Sequence, residues 1–197
     1  MWGRPRDSVR LRRAEDAAAL ARLGAHGQWE DIPDAIYRRN PEQNWAWIYT
    51  RREDLVGKEP DRGDHWLIPY LAERVRATAH SDDILYAPLG IGGHVDHVLA
   101  FRVGLLLHAD GGRDVSFYED FPYVTREEMY RQRIDELEGW SSRLAPFDET
   151  ALAAKVDAFG YYRSQMAMLT RATSLPIDQL IAQWAAKTGG ERFWRPQ

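Results

Sequence analysis

Apolar side chains recur every three or four residues near the start of the chain. The repeat consists of Leu11, Ala14, Ala18 and Ala21. This spacing predicts a helix over about residues 8–23, and Gly24 supplies its stop. The charged residues at positions 12, 13, 15 and 16 are expected to form a solvated face of that helix.

The middle of the chain alternates between helical and strand patterns. The predicted elements are a helix over about residues 67–79, a buried strand over 84–88, a helix over 94–108 and a strand over 115–118. A glycine-rich turn, residues 90–93, joins the first strand to the second helix. Helices that alternate with strands produce a parallel sheet with helices on its faces. We therefore predict an α/β fold of three layers, Rossmann-like, with a parallel sheet.

The last third of the chain has helical patterns. Thr125 and Glu128 have the spacing of a capping box, in which each side chain binds the other residue's backbone N–H. A further helix is predicted from Asp148 through Met166, and the last one lies between Pro176 and Thr188. The sequence has no repeat and no linker that would divide it, so residues 1–197 are predicted to form a single domain.

Composition excludes several classes of function. The chain has 26 basic and 30 acidic side chains, a net charge of −4, and no cysteine. The absence of cysteine excludes disulfide scaffolds, thiol nucleophiles and cysteine-based zinc sites. A mildly acidic protein is not expected to bind nucleic acid, which requires a basic face. No apolar run approaches the roughly 20 residues of a membrane span, and the N-terminal residues do not resemble a signal peptide. We expect a cytoplasmic protein.

Two histidines and a carboxylate follow the first predicted strand. His94 and His97 are three residues apart, so on a helical turn they share a face, with Asp96 between them. Imidazole is a good zinc ligand when a carboxylate or carbonyl holds its other nitrogen. The alternative is a solvated helix N-terminus in which the histidines occur by chance. The glycine spacing matches neither the dinucleotide fingerprint nor the phosphate-binding P-loop, which disfavours a nucleotide-binding module.

Two acidic residues, Glu119 and Asp120, follow the second predicted strand. Because the carboxyl ends of adjacent parallel strands share one edge of the sheet, we expect them near the histidines, within about 10 Å. Either one could orient a histidine, hold a polar substrate or bind a metal. Alternatively, both are acidic loop residues in water.

Several segments together resemble a known family. They are residues 13–16 with Leu23-Gly24, residues 33–38, residues 85–97, residues 117–123, and Lys155 with residues 162–165. The segment 85–97, which ends in His94-Val95-Asp96-His97, is the most specific. The chain resembles the PIG-L deacetylase family, also called LmbE-like, whose members are Rossmann-like and mostly zinc-dependent. They remove the acetyl group from N-acetylglucosamine units.

The resemblance implies roles for individual residues. His97 would be a ligand of Zn²⁺ or another divalent metal. His94 would stabilise the oxyanion or protonate the leaving amine, and Asp96 would orient and tune His94. Asp34 matches a position that binds sugar hydroxyls in relatives, and it joins Glu119 and Asp120 as candidate substrate-binding residues. The expected partner is a small N-acetylated sugar or glycoconjugate.

The sequence departs from the family in one motif. His-Pro-Asp-Asp, which supplies relatives with two zinc ligands and the general base, does not occur in it. The resemblance begins near the family's second helix, so we expect the first strand or strands to be missing. The expected activity is therefore that of a full-length parent deacetylase, with this chain inactive by itself. The alternative is a non-catalytic remnant or pseudoenzyme that keeps a carbohydrate-binding pocket.

Overall fold

A computed structural model describes residues 5–57, 59–111, 113–173 and 175–197. The helices are α1 (Pro5–Arg22), α2 (Leu67–Thr78), α3 (Val95–Gly111), α4 (Glu127–Asp135), α5 (Glu149–Gly160), α6 (Arg163–Thr173) and α7 (Ile177–Thr188). The strands are β1 (Arg39–Asn40), β2 (Ala46–Trp47), β3 (Leu85–Pro88), β4 (Val115–Tyr118), β5 (Ser141–Pro146) and β6 (Gly190–Arg195).

The chain divides into two compact units. The first unit comprises Met1–Asp34 and Ala145–Glu191, and the second comprises Ala35–Leu144 and Arg192–Gln197. The boundary between them passes through β5 and β6. The assignment of residues 1–197 to one domain stays a prediction.

The first unit consists mainly of helices that pack on one another. Its helix α1 packs against α5 and α6, and α7 packs against the same two helices. Asp148 caps α5 by accepting the backbone N–H of Ala151 at 2.6 Å. The single helix predicted from Asp148 through Met166 is wrong, because Tyr161 and Tyr162 form a break between α5 and α6.

The charged face of α1 is not uniformly solvated, which corrects the expectation from its sequence. Glu15 is buried, and its carboxylate accepts the backbone N–H of Ser164 at 2.8 Å and the Ser164 hydroxyl at 2.7 Å. Arg12 binds Asp34, and Trp29 donates its indole N–H to Asp16. Helix α1 is therefore held to the rest of this unit by polar contacts as well as by its alanine-rich face.

The four-stranded sheet that positions the candidate site lies mostly in the second unit. The strand order is β3-β4-β6-β5. Strands β3 and β4 are parallel, in register from Leu85 opposite Val115 to Pro88 opposite Tyr118. Strand β6 runs antiparallel to β4. The predicted α/β fold is confirmed, with a sheet that is mixed because it gains an antiparallel strand that the helical patterns of the last third did not indicate.

Helix α3 packs directly on β3 and β4, which explains its internal glycine. A Cβ at Gly104 would lie 2.7 Å from the ring of Phe117 and 2.9 Å from Ala87. Phe117 is fully buried, as are Leu89, Ile91 and Val95 in the loop and helix that follow β3. This core fixes the start of α3 against the carboxyl ends of the two parallel strands.

Most local predictions agree with the structure in this unit. The helix over 67–79 and the strands over 84–88 and 115–118 coincide with α2, β3 and β4 within a residue or two. The capping box is wrong: Arg126 is the N-cap of α4, and the Thr125 hydroxyl donates instead to the Pro122 carbonyl at 2.7 Å. No helix in the described ranges is both long and apolar enough to cross a membrane.

Candidate active site

The glycine-rich turn places the two histidines at the start of α3, directly after β3. His94 immediately precedes α3, and Asp96 and His97 occupy its first turn. Gly92 has φ +84°, and a Cβ there would lie 2.5 Å from the ring of Tyr123. Only glycine fits both the backbone conformation and this close approach. The predicted sequence of strand, glycine turn and histidine-bearing helix is confirmed.

Asp120 connects this turn to the next strand. It follows β4, and its side chain is fully buried. Its Oδ2 accepts the backbone N–H groups of Gly90 at 2.8 Å and Ile91 at 2.9 Å, and its Oδ1 lies 2.5 Å from His97 Nδ1. Since a carboxylate only accepts, the proton of this contact belongs to His97 Nδ1. His97 Nε2 is then left with a free lone pair.

His94 has the opposite arrangement. Its Nδ1 accepts the backbone N–H of Asp96 at 3.3 Å, which places the proton of the neutral ring on Nε2. The Asp96 carboxylate lies 4.0 Å from the same Nδ1. The ring centroids of His94 and His97 are 5.5 Å apart. By these contacts the neutral His97 ring carries its lone pair at Nε2, whereas the neutral His94 ring carries its proton there.

A buried arginine links Asp96 to a second carboxylate. Arg38 donates through Nη1 to Asp64 at 2.8 Å and through Nη2 to Asp96. Burial would lower the pKa of Arg38, but the charges of Asp96 and Asp64 outweigh it and raise that pKa. Burial, and then the hydrogen bond to Asp64, raises the pKa of Tyr49. No local sequence pattern indicates this network, because Arg38 and Asp64 lie far from the histidine motif in the chain.

Tyr123 forms a wall beside His97. The two rings meet edge to face with centroids 5.7 Å apart. Burial is the largest cause of the raised pKa of Tyr123, so its hydroxyl stays protonated over a wider pH range than usual. The sequence indicates Tyr123 only as part of the segment 117–123, whereas its packing on Gly92 places it beside the histidines.

The other predicted site residues have protein partners of their own. Glu119 accepts the indole N–H of Trp194 at 3.0 Å and lies 3.6 Å from Arg192. Asp34 belongs to the first unit, where it pairs with Arg12 at 2.5 Å. Asp120 is the acidic residue that the structure brings to the histidines.

The donor atoms fit a metal ion only in part. His97, with Nδ1 bound to a carboxylate and Nε2 free, has the form of a metal-ligating histidine. A catalytic zinc normally has three protein ligands. Among the residues that the structure describes, no group of three His, Cys, Asp or Glu side chains could hold a metal ion.

A cleft of about 380 Å³ borders the glycine turn. Its lining is Gly57, Glu59, Gly90, Gly92, Gly93, Val98, Phe101, Arg102, Met129, Gln132, Arg133 and Glu136. Two of these residues, Gly93 and Val98, are the chain neighbours of His94 and His97. Its charged side chains form ion pairs, Arg102 with Glu59 and Arg133 with Glu136, so the walls carry balanced charge.

Comparison with known proteins gives two curated relatives, and no protein-family model matches the chain. Over 133 residues, 67% of the chain, it is 29% identical to 2'-N-acetylparomamine deacetylase of Niallia circulans and covers 45% of that protein. The chain thus spans less than half the length of this relative. It is also 29% identical to an NAD-dependent protein deacylase of Deinococcus radiodurans, over 195 residues that cover 89% of the chain and 76% of that protein.

Solved deacetylase structures share the fold. The zinc-inhibited form of the teicoplanin deacetylase Orf2 superposes with a TM-score of 0.75 at 25% identity, covering 95% of this chain and 74% of that one. The A40926 pseudoaglycone deacetylase Dbv21 superposes with a TM-score of 0.63 at 28% identity, covering 93% and 69%. Together with the histidine motif, these likenesses confirm the resemblance found in the sequence: the chain is similar in sequence and in fold to deacetylases of the PIG-L, or LmbE-like, type.

Proposed function

We propose that this chain carries part of the site of a metal-dependent hydrolase that removes the N-acetyl group from an N-acetylglucosamine-type sugar or glycoconjugate. The observation that carries the proposal is the pair of neighbouring histidines whose Nδ1 atoms have opposite partners. His97 Nδ1 contacts the Asp120 carboxylate, which favours a lone pair at Nε2, and His94 Nδ1 accepts the Asp96 backbone N–H, which favours a proton at Nε2. The names of the relatives, 2'-N-acetylparomamine deacetylase and teicoplanin deacetylase, support the substrate class.

His97 is the metal ligand that this chain contributes to the proposed site, for Zn²⁺ or another divalent ion. When bound, such an ion would supply Lewis-acid chemistry, which lowers the pKa of water to about 7 and polarises an amide carbonyl. Asp120 keeps the His97 ring in one orientation and one tautomer, because its other oxygen is fixed by two backbone N–H groups. These contacts favour an orienting role for Asp120 over direct substrate binding.

His94 is the proton donor of the proposed reaction. Amide hydrolysis adds water to the carbonyl carbon and breaks the C–N bond, so the departing amine must gain a proton. The Nε2–H of His94 is the group that meets the developing oxyanion or supplies this proton. Asp96 and its backbone N–H hold the ring in place. Asp34 stays a candidate for sugar hydroxyls, and the cytoplasmic location stays a prediction.

The second candidate function is carbohydrate binding without catalysis. It is favoured by the incomplete set of metal ligands among the described residues. In this alternative, the chain is a pseudoenzyme or remnant that keeps the pocket and has lost the chemistry.

Acetate release tests these two functions against each other. The 197-residue chain, and any longer polypeptide encoded in frame upstream of Met1, would be incubated with 2'-N-acetylparomamine or N-acetylglucosamine derivatives, with Zn²⁺, with a chelator or with NAD. We expect the 197-residue chain to bind zinc weakly and turn over poorly, and the longer polypeptide to release acetate in a metal-dependent, NAD-independent reaction. Sugar binding without acetate release from either polypeptide would support the non-catalytic alternative. Release that requires NAD would contradict the proposed hydrolysis.

Variants of the active polypeptide separate the two histidines. His97→Ala should lose metal and activity together. His94→Ala should keep the metal and slow turnover by about 10²–10³-fold, since its contact is made mainly in the transition state. Asp96→Asn should act like His94→Ala but more mildly, by about 10–100-fold. A metal site emptied by His94→Ala and left full in His97→Ala would reverse these roles.

A further inference from the structure

Arg38 is a buried cation that pairs with the buried carboxylate of Asp64 and with the partly exposed carboxylate of Asp96. Its side chain is 9% exposed, its partner Asp64 is 1% exposed, and its partner Asp96 is 35% exposed. Asp64 alone would neutralise the buried guanidinium. The second carboxylate belongs to the residue whose backbone N–H binds His94. Arg38 therefore forms a bridge, Asp64–Arg38–Asp96, between an interior anchor, Asp64, and the histidine motif.

The anchor end of the bridge is fixed by several contacts. The Asp64 backbone N–H donates to the Asp61 carbonyl at 2.9 Å, and the Asp61 backbone N–H in turn donates to the Tyr49 hydroxyl at 3.2 Å. The Arg38 backbone is held on both sides, by its own N–H on the Ala35 carbonyl and by the Ile48 N–H on its carbonyl. A planar guanidinium with both ends engaged has little freedom to rotate.

Two groups of Asp96, its backbone N–H and its carboxylate, lie near His94 Nδ1. The Nδ1 of His94 now accepts the Asp96 N–H, and the nearest Asp96 carboxylate oxygen lies 4.0 Å away. A carboxylate released from Arg38 could rotate onto Nδ1. That contact requires a proton on Nδ1, which in the neutral ring removes the proton from Nε2. The ring would then face the substrate with a lone pair instead of an N–H.

We propose that Arg38 is a positioning residue of this site: it holds the Asp96 carboxylate against the Asp64 anchor and so preserves the Nε2–H tautomer of His94. The inference rests on the proposed function only for its consequence in catalysis. The positioning itself is a property of the free protein.

The test compares Arg38→Lys and Arg38→Ala with Arg76→Ala in the same chain. Arg76 is the matched control, because it also bridges two carboxylates, Glu73 and Asp110, on the surface of the same unit. Nitrogen-15 NMR of the histidine rings, at a fixed pH at which they are neutral, reports which nitrogen carries the proton. We expect His94 to shift from the Nε2–H to the Nδ1–H form in both Arg38 variants and to stay unchanged in Arg76→Ala.

Arg38→Lys decides the outcome if Arg38→Ala does not fold, because lysine keeps a charge beside Asp64 but lacks the second arm that reaches Asp96. Millimolar methylguanidinium should restore the His94 signals of Arg38→Ala. In a preparation that deacetylates, Arg38→Lys should lower kcat by about 10–100-fold with KM changed less than about threefold, as for loss of an orienting partner. A folded Arg38→Lys protein with the wild-type His94 spectrum would overturn the inference. Because the spectrum needs no turnover, this result is distinct from a failure of the deacetylase proposal.

Discussion

Replacing Asp120 with asparagine is expected to reverse the tautomer of His97 while keeping the fold. Asp120 Oδ2 accepts two backbone N–H groups, from Gly90 and Ile91, whereas Oδ1 meets only His97. We therefore expect the asparagine side chain to place its single amide oxygen where it accepts both backbone N–H groups. Its NH₂ group then faces His97 Nδ1, which must become an acceptor, so the ring proton moves to Nε2.

The size of the effect follows from the contacts that change. Asp120→Asn keeps three hydrogen bonds but loses their charge assistance, which we expect to cost about 1–2 kcal/mol of unfolding free energy. Asp120→Ala leaves two backbone N–H groups and an imidazole without their partner, and should cost about 3–5 kcal/mol. In Asp120→Asn the lone pair of His97 Nε2 is lost, so metal affinity should fall about 10–100-fold.

The assay combines nitrogen-15 NMR of the His97 ring with denaturant unfolding and calorimetric zinc binding. Asp114→Asn is the control, since Asp114 is half-exposed in an ion pair with Arg195 just before the same strand. It should change stability by less than about 1 kcal/mol. If Asp120→Asn leaves the proton on His97 Nδ1, or binds zinc as tightly as the wild type, the assignment of the Asp120 contacts is refuted.

Three further predictions concern the glycine turn and the helical unit. Gly92→Ala should lower the free energy of unfolding by more than about 2 kcal/mol in denaturant, because the added Cβ overlaps the Tyr123 ring at a residue with positive φ. The control is Gly24→Ala, which also has a positive φ but has nothing within 4 Å, and it should cost about 1–2 kcal/mol. Glu15→Gln and Ser164→Ala should each cost about 1–2 kcal/mol, and non-additivity in the double variant would show that the two side chains interact. Burial, and then nearby acidic groups, raises the pKa of Tyr162 to about 12. Because the unfolded chain loses this proton near pH 10 while the folded chain keeps it, the free energy of unfolding should fall between pH 10 and 12. An equally steep fall with pH in Tyr162→Phe and in the wild type would contradict this.

Elements that depend on neighbouring residues could be predicted from the sequence. The apolar face of α2, the short apolar runs of β3 and β4 and the glycine turn between β3 and α3 each have a local signature. Strand β6 has none, because its place in the sheet depends on Phe117 lying opposite Trp194, far away in the chain. The false capping box has the same origin: Thr125 has a nearer acceptor in the Pro122 carbonyl, which the spacing of Thr125 and Glu128 does not reveal.

In the candidate site, too, residues with a local sequence pattern could be predicted, and residues that depend on distant contacts could not. His94, Asp96 and His97 could be identified because the residue types and their spacing lie within one turn. Asp120 could be placed near them from the parallel strands, but its contact with the backbone of the glycine turn required the structure. Arg38 could not be identified, because a buried cation between two distant carboxylates has no pattern in the sequence.

The two histidines show why the motif alone does not assign their roles. By spacing they are equivalent, since both lie on one face of the same helical turn. The fold makes them different: His97 receives its partner from the neighbouring strand, and His94 receives its partner from its own turn. A carboxylate forces a proton onto Nδ1, whereas a backbone N–H forces it onto Nε2. Metal binding requires a lone pair, which His97 has at Nε2, and proton donation requires an N–H, which His94 has at Nε2. The proposed roles of the two histidines therefore depend on Asp120, which contacts His97, and on the turn at Asp96 that Arg38 holds.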